Sequence, residues 1–94
     1  MGQYPKIQSV RPLASKKLEV TFDRGIKKIY DCTKLLNQEA FISLNNDAVF
    51  NCVHVECGGY GIAWDDDTDL SESELWINGK EIKKKLWPPL KTPS

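Results

Sequence analysis

Histidine and methionine each occur once in this chain and cysteine three times. A single imidazole narrows the catalytic arrangements that the chain can assemble. One histidine leaves no defensible Ser-His-Asp order, and no glycine-rich phosphate loop stands between a strand and a helix. The longest apolar runs are a few residues, far short of the ~20 needed to cross a bilayer. The amino terminus lacks the basic-then-apolar layout of a secretory signal, and Lys6 stands where myristoylation after Met1-Gly2 needs Ser or Thr. Excess charge of one sign is also absent, because thirteen basic residues balance thirteen acidic ones. Net charge therefore names no partner. Cys32, Cys52 and Cys57 are odd in number and irregularly spaced, which fits reduced thiols better than a disulfide framework. The expectation is a cytoplasmic, non-membrane protein without catalytic activity, cofactor or metal.

What is present is material for one domain. A chain of 94 residues buries roughly 60 to 65% of its unfolded surface, which leaves one modest core. Ile7 to Leu13 reads as a first strand, limited by Pro12. Leu18, Val20 and Phe22 alternate with Glu19 and Thr21, the period-2 pattern of a second strand. Asp23-Arg24-Gly25 reads as a three-residue hairpin loop with Gly25 left-handed, returning the chain along Ile26 to Asp31. Ile29 and Tyr30 are adjacent there, so the pattern leaves open which of them faces the core.

From Asp31 the period changes. Leu35, Leu36, Ala40, Phe41 and Leu44 recur at mixed helical spacings before Asn45-Asn46-Asp47 and Ala48-Val49-Phe50. This predicts two short helical turns separated by a polar break, the second capped by Asn or Asp. Val53, Val55 and Cys57 alternate with His54 and Glu56 as a fourth strand. Gly58 to Gly61 reverses the chain into a fifth, Gly61 to Trp64, with Ile62 and Trp64 on one face. Ser71 with Glu74 forms a capping box and Leu70 with Leu75 a hydrophobic staple, so a final helix starts at Ser71. Asn78-Gly79 stops it. The fold class is α+β: a three-stranded antiparallel meander, short helices, a second β-hairpin and a capped helix packed on the sheet. Residues 1–79 make the domain and 80–94 a lysine- and proline-rich tail, partly ordered.

Several groupings invite chemistry. Cys52, His54 and Cys57 are soft ligands close in sequence, but on a strand the first two point to one face and Cys57 to the other. Small buried cysteines beside a surface histidine fit better. Asp65, Asp67 and Asp69 have the spacing that opens a calcium loop, yet Leu70 replaces the required glycine and Trp76 the bidentate glutamate. Solvated loop acids near a helix amino terminus are the plainer reading. Lys80 to Lys85, with Trp87 beyond, carries cations that touch phosphates and an indole that stacks a base, but residues 65 to 74 hold six opposing carboxylates. Trp64 alternates with Ile62 as a core residue, whereas Trp76, beside Leu75 on a short helix, lies at the rim of the core or reaches outward.

The order of these features resembles the domain-of-unknown-function family 2442. The resemblance covers about residues 5 to 79 and rests on Val20-Thr21-Phe22 before Gly25, Tyr30-Asp31 before Leu35-Leu36, Phe41 and Leu44, then Phe50, Val53 and Val55. Above all it rests on Gly61-Ile62-Ala63-Trp64 leading to Asp69-Leu70 and Leu75-Trp76. Where many members read Trp-Pro-Asn-Gly before the aspartate, this chain has Trp64-Asp65-Asp66-Asp67. The resemblance implies a small bacterial, cytoplasmic α+β domain without established enzymatic activity. Some members look like partners of another small protein, similar to a toxin-antitoxin pair, and some carry a helix-turn-helix domain for which this chain has no length.

The functional expectation is a non-enzymatic protein-interaction module, antitoxin-like, with a protein partner or self-association. Asp65, Asp67, Asp69, Trp76 and Trp87 are its candidate surface. The alternative is a nucleic-acid-associated regulator that uses the basic tail.

Overall fold

The computed structural model describes residues 4–81. In chain order these form β1 (Ile7–Leu13), β2 (Lys17–Phe22), β3 (Lys27–Asp31), α1 (Asp47–Phe50), β4 (His54–Val55), β5 (Gly61–Asp65), β6 (Thr68–Ser71), α2 (Glu72–Asn78) and β7 (Lys80–Glu81). Two antiparallel sheets result, ordered β1-β2-β3-β7 and β4-β5-β6, so the molecule is α+β.

The meander follows from alternation. Leu18, Val20 and Phe22 are fully buried, while Lys17, Glu19 and Thr21 between them are half covered. Val20 pairs with Val10 and Lys28, and Leu18 with Pro12 and Tyr30, so all three strands share one inner face. This resolves the third strand: Tyr30 is buried at 1% exposure, and Ile29 lies on the outer face opposite Glu19. Pro12 is accommodated on an edge strand, as its missing N–H requires.

The β2–β3 loop places Gly25 left-handed at φ 76°, and Arg24 joins it at φ 71°. Lys16, in the β1–β2 turn, is also left-handed at φ 60°, which costs a non-glycine residue roughly 1 to 2 kcal/mol. Its other contacts offset that cost. The Lys16 ammonium pairs with Asp47 and lies 5.7 Å from the centroid of Phe50, and its carbonyl accepts the Cys32 N–H at 2.9 Å.

Between the sheets the two expected helical turns become three. Thr33–Leu35 and Glu39–Asn45 are 3-10 turns, the form in which mixed apolar spacing can still cover a core, and α1 follows. Asn46 caps α1, its side-chain oxygen accepting the N–H groups of Ala48 at 2.8 Å and Val49 at 3.3 Å.

The second sheet departs from the sequence reading at two places. β4 is only two residues long, and Asp65 to Asp69, expected as an acidic loop, is a tight hairpin ending in the unforeseen strand β6. Thr68 and Leu70 are buried there while Asp69 and Ser71 are exposed. Asp65 closes the turn by accepting the Asp67 N–H at 2.9 Å. The register passes from Ala63 opposite Asp69 to Asp65 opposite Thr68, leaving Trp64 as a bulged residue. Its indole stacks on Phe50 at 6.1 Å and donates to the Phe50 carbonyl at 3.0 Å. Core side chains come from both sheets and both helices, among them Leu18, Phe22, Tyr30, Phe50, Ile62, Trp64 and Leu75.

Ser71 caps α2, accepting the Glu74 N–H at 3.2 Å. The reciprocal arm of the capping box is replaced: the Glu74 carboxylate accepts the Tyr30 hydroxyl at 2.7 Å. Leu70 and Leu75, the predicted staple pair, are both buried. Gly79 ends the helix at an extended φ of −77°, not the left-handed geometry expected of a glycine stop. Space requires it instead, since a Cβ would stand 2.6 Å from the Leu75 carbonyl oxygen. Lys80 and Glu81, assigned to the tail by sequence, pair with Ile29 and Lys28. The remainder of the tail lies outside the described residues.

Gly59 is the tighter constraint. At φ +77° it presses the β4–β5 turn onto β1, and a Cβ there would meet the Ile7 carbonyl oxygen at 2.6 Å. Gly59→Ala combines backbone crowding with left-handed strain, so its unfolding free energy should fall by about 2 to 4 kcal/mol in urea denaturation. A midpoint within error of the parent would contradict this packing.

Candidate functional site

Two clefts lie at opposite ends of β3. The first, about 510 Å³, is lined by Tyr4, Pro5, Lys6, Asp23, Arg24, Ile26 and Trp76. Its parts come from three places in the sequence. The β2–β3 loop supplies Asp23 and Arg24, the segment before β1 supplies Tyr4 to Lys6, and α2 supplies the indole. Backbone pairing joins the first two, because the Asp23 N–H donates to the Lys6 carbonyl at 2.9 Å.

Trp76 is half-buried and held on two sides. It meets Phe22 edge-on, with centroids 5.1 Å apart and planes at 81°. The Lys28 ammonium lies 3.8 Å from the indole centroid and donates to the Trp76 carbonyl, a cation–π contact worth about 0.5 to 2 kcal/mol. Beside the cleft, the Lys6 ammonium lies 4.5 Å from the centroid of Tyr60, a residue 59% exposed. Tryptophan, tyrosine and arginine are the residue types enriched at interface anchors.

The second cleft, about 420 Å³, is lined by Lys17, Ile29, Asp31, Thr33, Lys34, Asn78 and Lys80. Asp31 turns back on its own chain, accepting the Thr33 hydroxyl at 2.7 Å and the Thr33 N–H at 2.9 Å. Those bonds, with the nearby Lys17 and Lys34 charges, hold its carboxyl below the usual aspartate range. A third cleft surrounds the β1–β2 turn, lined in part by Lys16, Asp47 and Phe50.

The residues singled out from sequence separate in space. Trp76 lines the first cleft. Asp65 ends β5, Asp67 lies in the β5–β6 turn, Asp69 is exposed on β6, and none of the three lines any of these clefts. Trp87 lies outside the described residues. Tyr4, Arg24 and Ile26 were missed, because only strand pairing brings them to residue 76.

The cysteines need correction. Cys32 is buried, but Cys52 and Cys57 are exposed, since the short β4 leaves both of them on turns. His54 Nδ1 lies 3.3 Å from the Cys52 carbonyl oxygen. Among the described residues, no three His, Cys, Asp or Glu side chains are grouped to hold a metal. No described helix is long and apolar enough to cross a membrane.

Two small antiparallel sheets, with a capped helix touching both, define an α+β fold bearing surface clefts. The chain belongs to the family described as Protein of unknown function (DUF2442), whose model matches residues 7–81. Neither a curated protein nor a solved structure matches it. The match takes in Arg24, Ile26 and Trp76 and ends with β7.

Alkaline pH should expose the burial of Tyr30 and Cys32. Burial, then the Glu74 carboxylate, raises the Tyr30 phenol, while burial, then Asp31, pushes the Cys32 thiol up to about 12. Both groups favour their neutral forms in the folded state. The associated stability is therefore fully present below the unfolded thiol value near 9 and is lost as pH rises toward 12. The melting temperature should fall steadily between pH 9 and 11, and Cys32→Val should flatten the first part of that fall. A constant melting temperature across this window would contradict the assignment.

Proposed function

We propose that this domain is a non-enzymatic protein-interaction module that seats part of a partner protein in the Trp76 cleft. The observation that supports the reading is an indole fixed by Phe22 and Lys28 and bordered by Tyr4, Arg24 and Ile26. A pre-positioned aromatic surface loses little side-chain entropy on binding, which is what an anchor pocket requires. The charges of Lys6, Asp23 and Arg24 at its border supply polar contacts of both signs. In its finer form, the proposal is an antitoxin-like role beside a second small protein in the cytoplasm. The acidic β5–β6 turn stands apart from the cleft and is not part of the docking surface in this reading.

A nucleic-acid-associated role is the second reading. It is favoured by a separate observation, the three lysines that line the other cleft.

The test is affinity purification of the tagged chain from its native host, beside Trp76→Ala and Arg24→Glu, followed by calorimetry of the purified pair. The expected result is a small protein retained in equal amount and bound at least tenfold more weakly by both variants. Arg24 is exposed, so its variant separates lost docking from lost folding. A partner bound equally by all three chains, or no partner for the parent, would overturn the proposal.

A further inference from the structure

Three lysines from distant parts of the chain line one cleft. Lys17 opens β2, Lys34 sits in the turn after β3, and Lys80 is carried by β7. Pairing of Lys17 with Asp31, and of Ile29 with Lys80, brings them there. We propose that the cleft bounded by Lys17, Lys34 and Lys80 binds a phosphate group, carried by a free nucleotide or by a nucleic-acid strand.

Asp31 lines the cleft and stays ionised beside Lys17 and Lys34, so three lysines face one carboxylate there and a positive surplus remains, while the other nearby carboxylates are engaged or face elsewhere. Asp31 accepts two hydrogen bonds from Thr33, and Glu19, on the same outer face, accepts two from Arg11 at 2.8 and 3.1 Å. Glu81 pairs with Lys28, which alternation puts on the opposite face. The ion pairs among the described residues, Arg11–Glu19 and Lys16–Asp47, use none of the three lysines. Lys27 precedes Ile29 on the outer face and extends the positive strip along β3, its ammonium donating to the Thr21 hydroxyl at 3.0 Å. Clustered ammoniums repel one another, and a multivalent oxyanion removes that repulsion while accepting hydrogen bonds from each. Asn78 adds an amide donor at the rim, and about 420 Å³ accommodates a phosphate with its sugar.

Among the described residues, Ile29 is the cleft's one large apolar side chain and no aromatic ring lines it. These residues therefore provide no base stacking. The ligand is held by its phosphate, and base identity should matter little. This site is separate from the Trp76 cleft, so either proposal can fail without the other.

The test is NMR titration of the ¹⁵N-labelled chain with inorganic phosphate, with deoxyadenosine monophosphate and with a thymidine hexanucleotide lacking terminal phosphate. The expected result is amide shifts concentrated at Lys17, Thr33, Lys34 and Lys80. Lys17→Gln/Lys34→Gln/Lys80→Gln should weaken binding at least tenfold while keeping a folded spectrum. A Lys6→Gln/Arg24→Gln control should bind as the parent does. Tighter binding of the mononucleotide assigns a free nucleotide, and tighter binding of the hexanucleotide assigns a strand. In the second case, three contacts predict that log K falls with log salt at a slope of about −2. Shifts spread evenly over all lysines would overturn the proposal, as would a hexaglutamate peptide bound as tightly as the phosphate ligands.

Discussion

The Tyr30 hydroxyl and the Glu74 carboxylate, 2.7 Å apart, fasten α2 to the first sheet, and much of the functional surface depends on that bond. Tyr30 is almost wholly buried, so its hydroxyl needs a partner; leaving such a group unpaired costs roughly 1 to 3 kcal/mol. Glu74 meets that need at the cost of the second arm of its own capping box. Lys28 adds a second fastening by reaching the Trp76 ring and carbonyl. With α2 seated in this way, Trp76 lies against Phe22 at one end of β3. Asn78 and the paired Lys80 lie toward the other. Both clefts are thus built on one helix–strand seam.

Charge is distributed unevenly over this frame. Asp65, Asp66, Asp67 and Asp69 are exposed at the β5–β6 hairpin, in the smaller sheet. The outer face of the larger sheet carries Arg11, Lys17, Lys27 and Lys80 against Glu19 and Asp31. Among the described residues, charges of opposite sign are therefore concentrated at separate places, although the formal net charge of the chain is zero. Composition hides this property, because a balanced total says nothing about separation.

The meander was legible in the sequence because Leu18, Val20 and Phe22 alternate cleanly, and the α2 start because Ser71 is a cap with a local signature. β6 was not legible, since four aspartates within five residues outweigh the alternation of Thr68 and Leu70 on any propensity argument. Gly79 looked like a left-handed stop, yet its role is close approach to Leu75, which only packing reveals. Glu74 has the spacing of a capping box, but the tyrosine that claims its carboxylate is 44 residues away. The clefts fail to show for the same reason. Trp76 could be suspected as an exposed anchor, whereas Tyr4, Arg24 and Ile26, and the trio Lys17, Lys34 and Lys80, become neighbours only through strand pairing and α2 docking.

The seam can be tested without knowing any ligand. Amide hydrogen exchange of the parent and of Tyr30→Phe reports whether the hydroxyl holds α2 and β7 in place. The account predicts that exchange in residues 72–81 accelerates together by about tenfold or more in the variant, while β1 and β2 keep most of their protection. Equal protection of α2 in both proteins would show that the helix is seated by other contacts and would contradict the account.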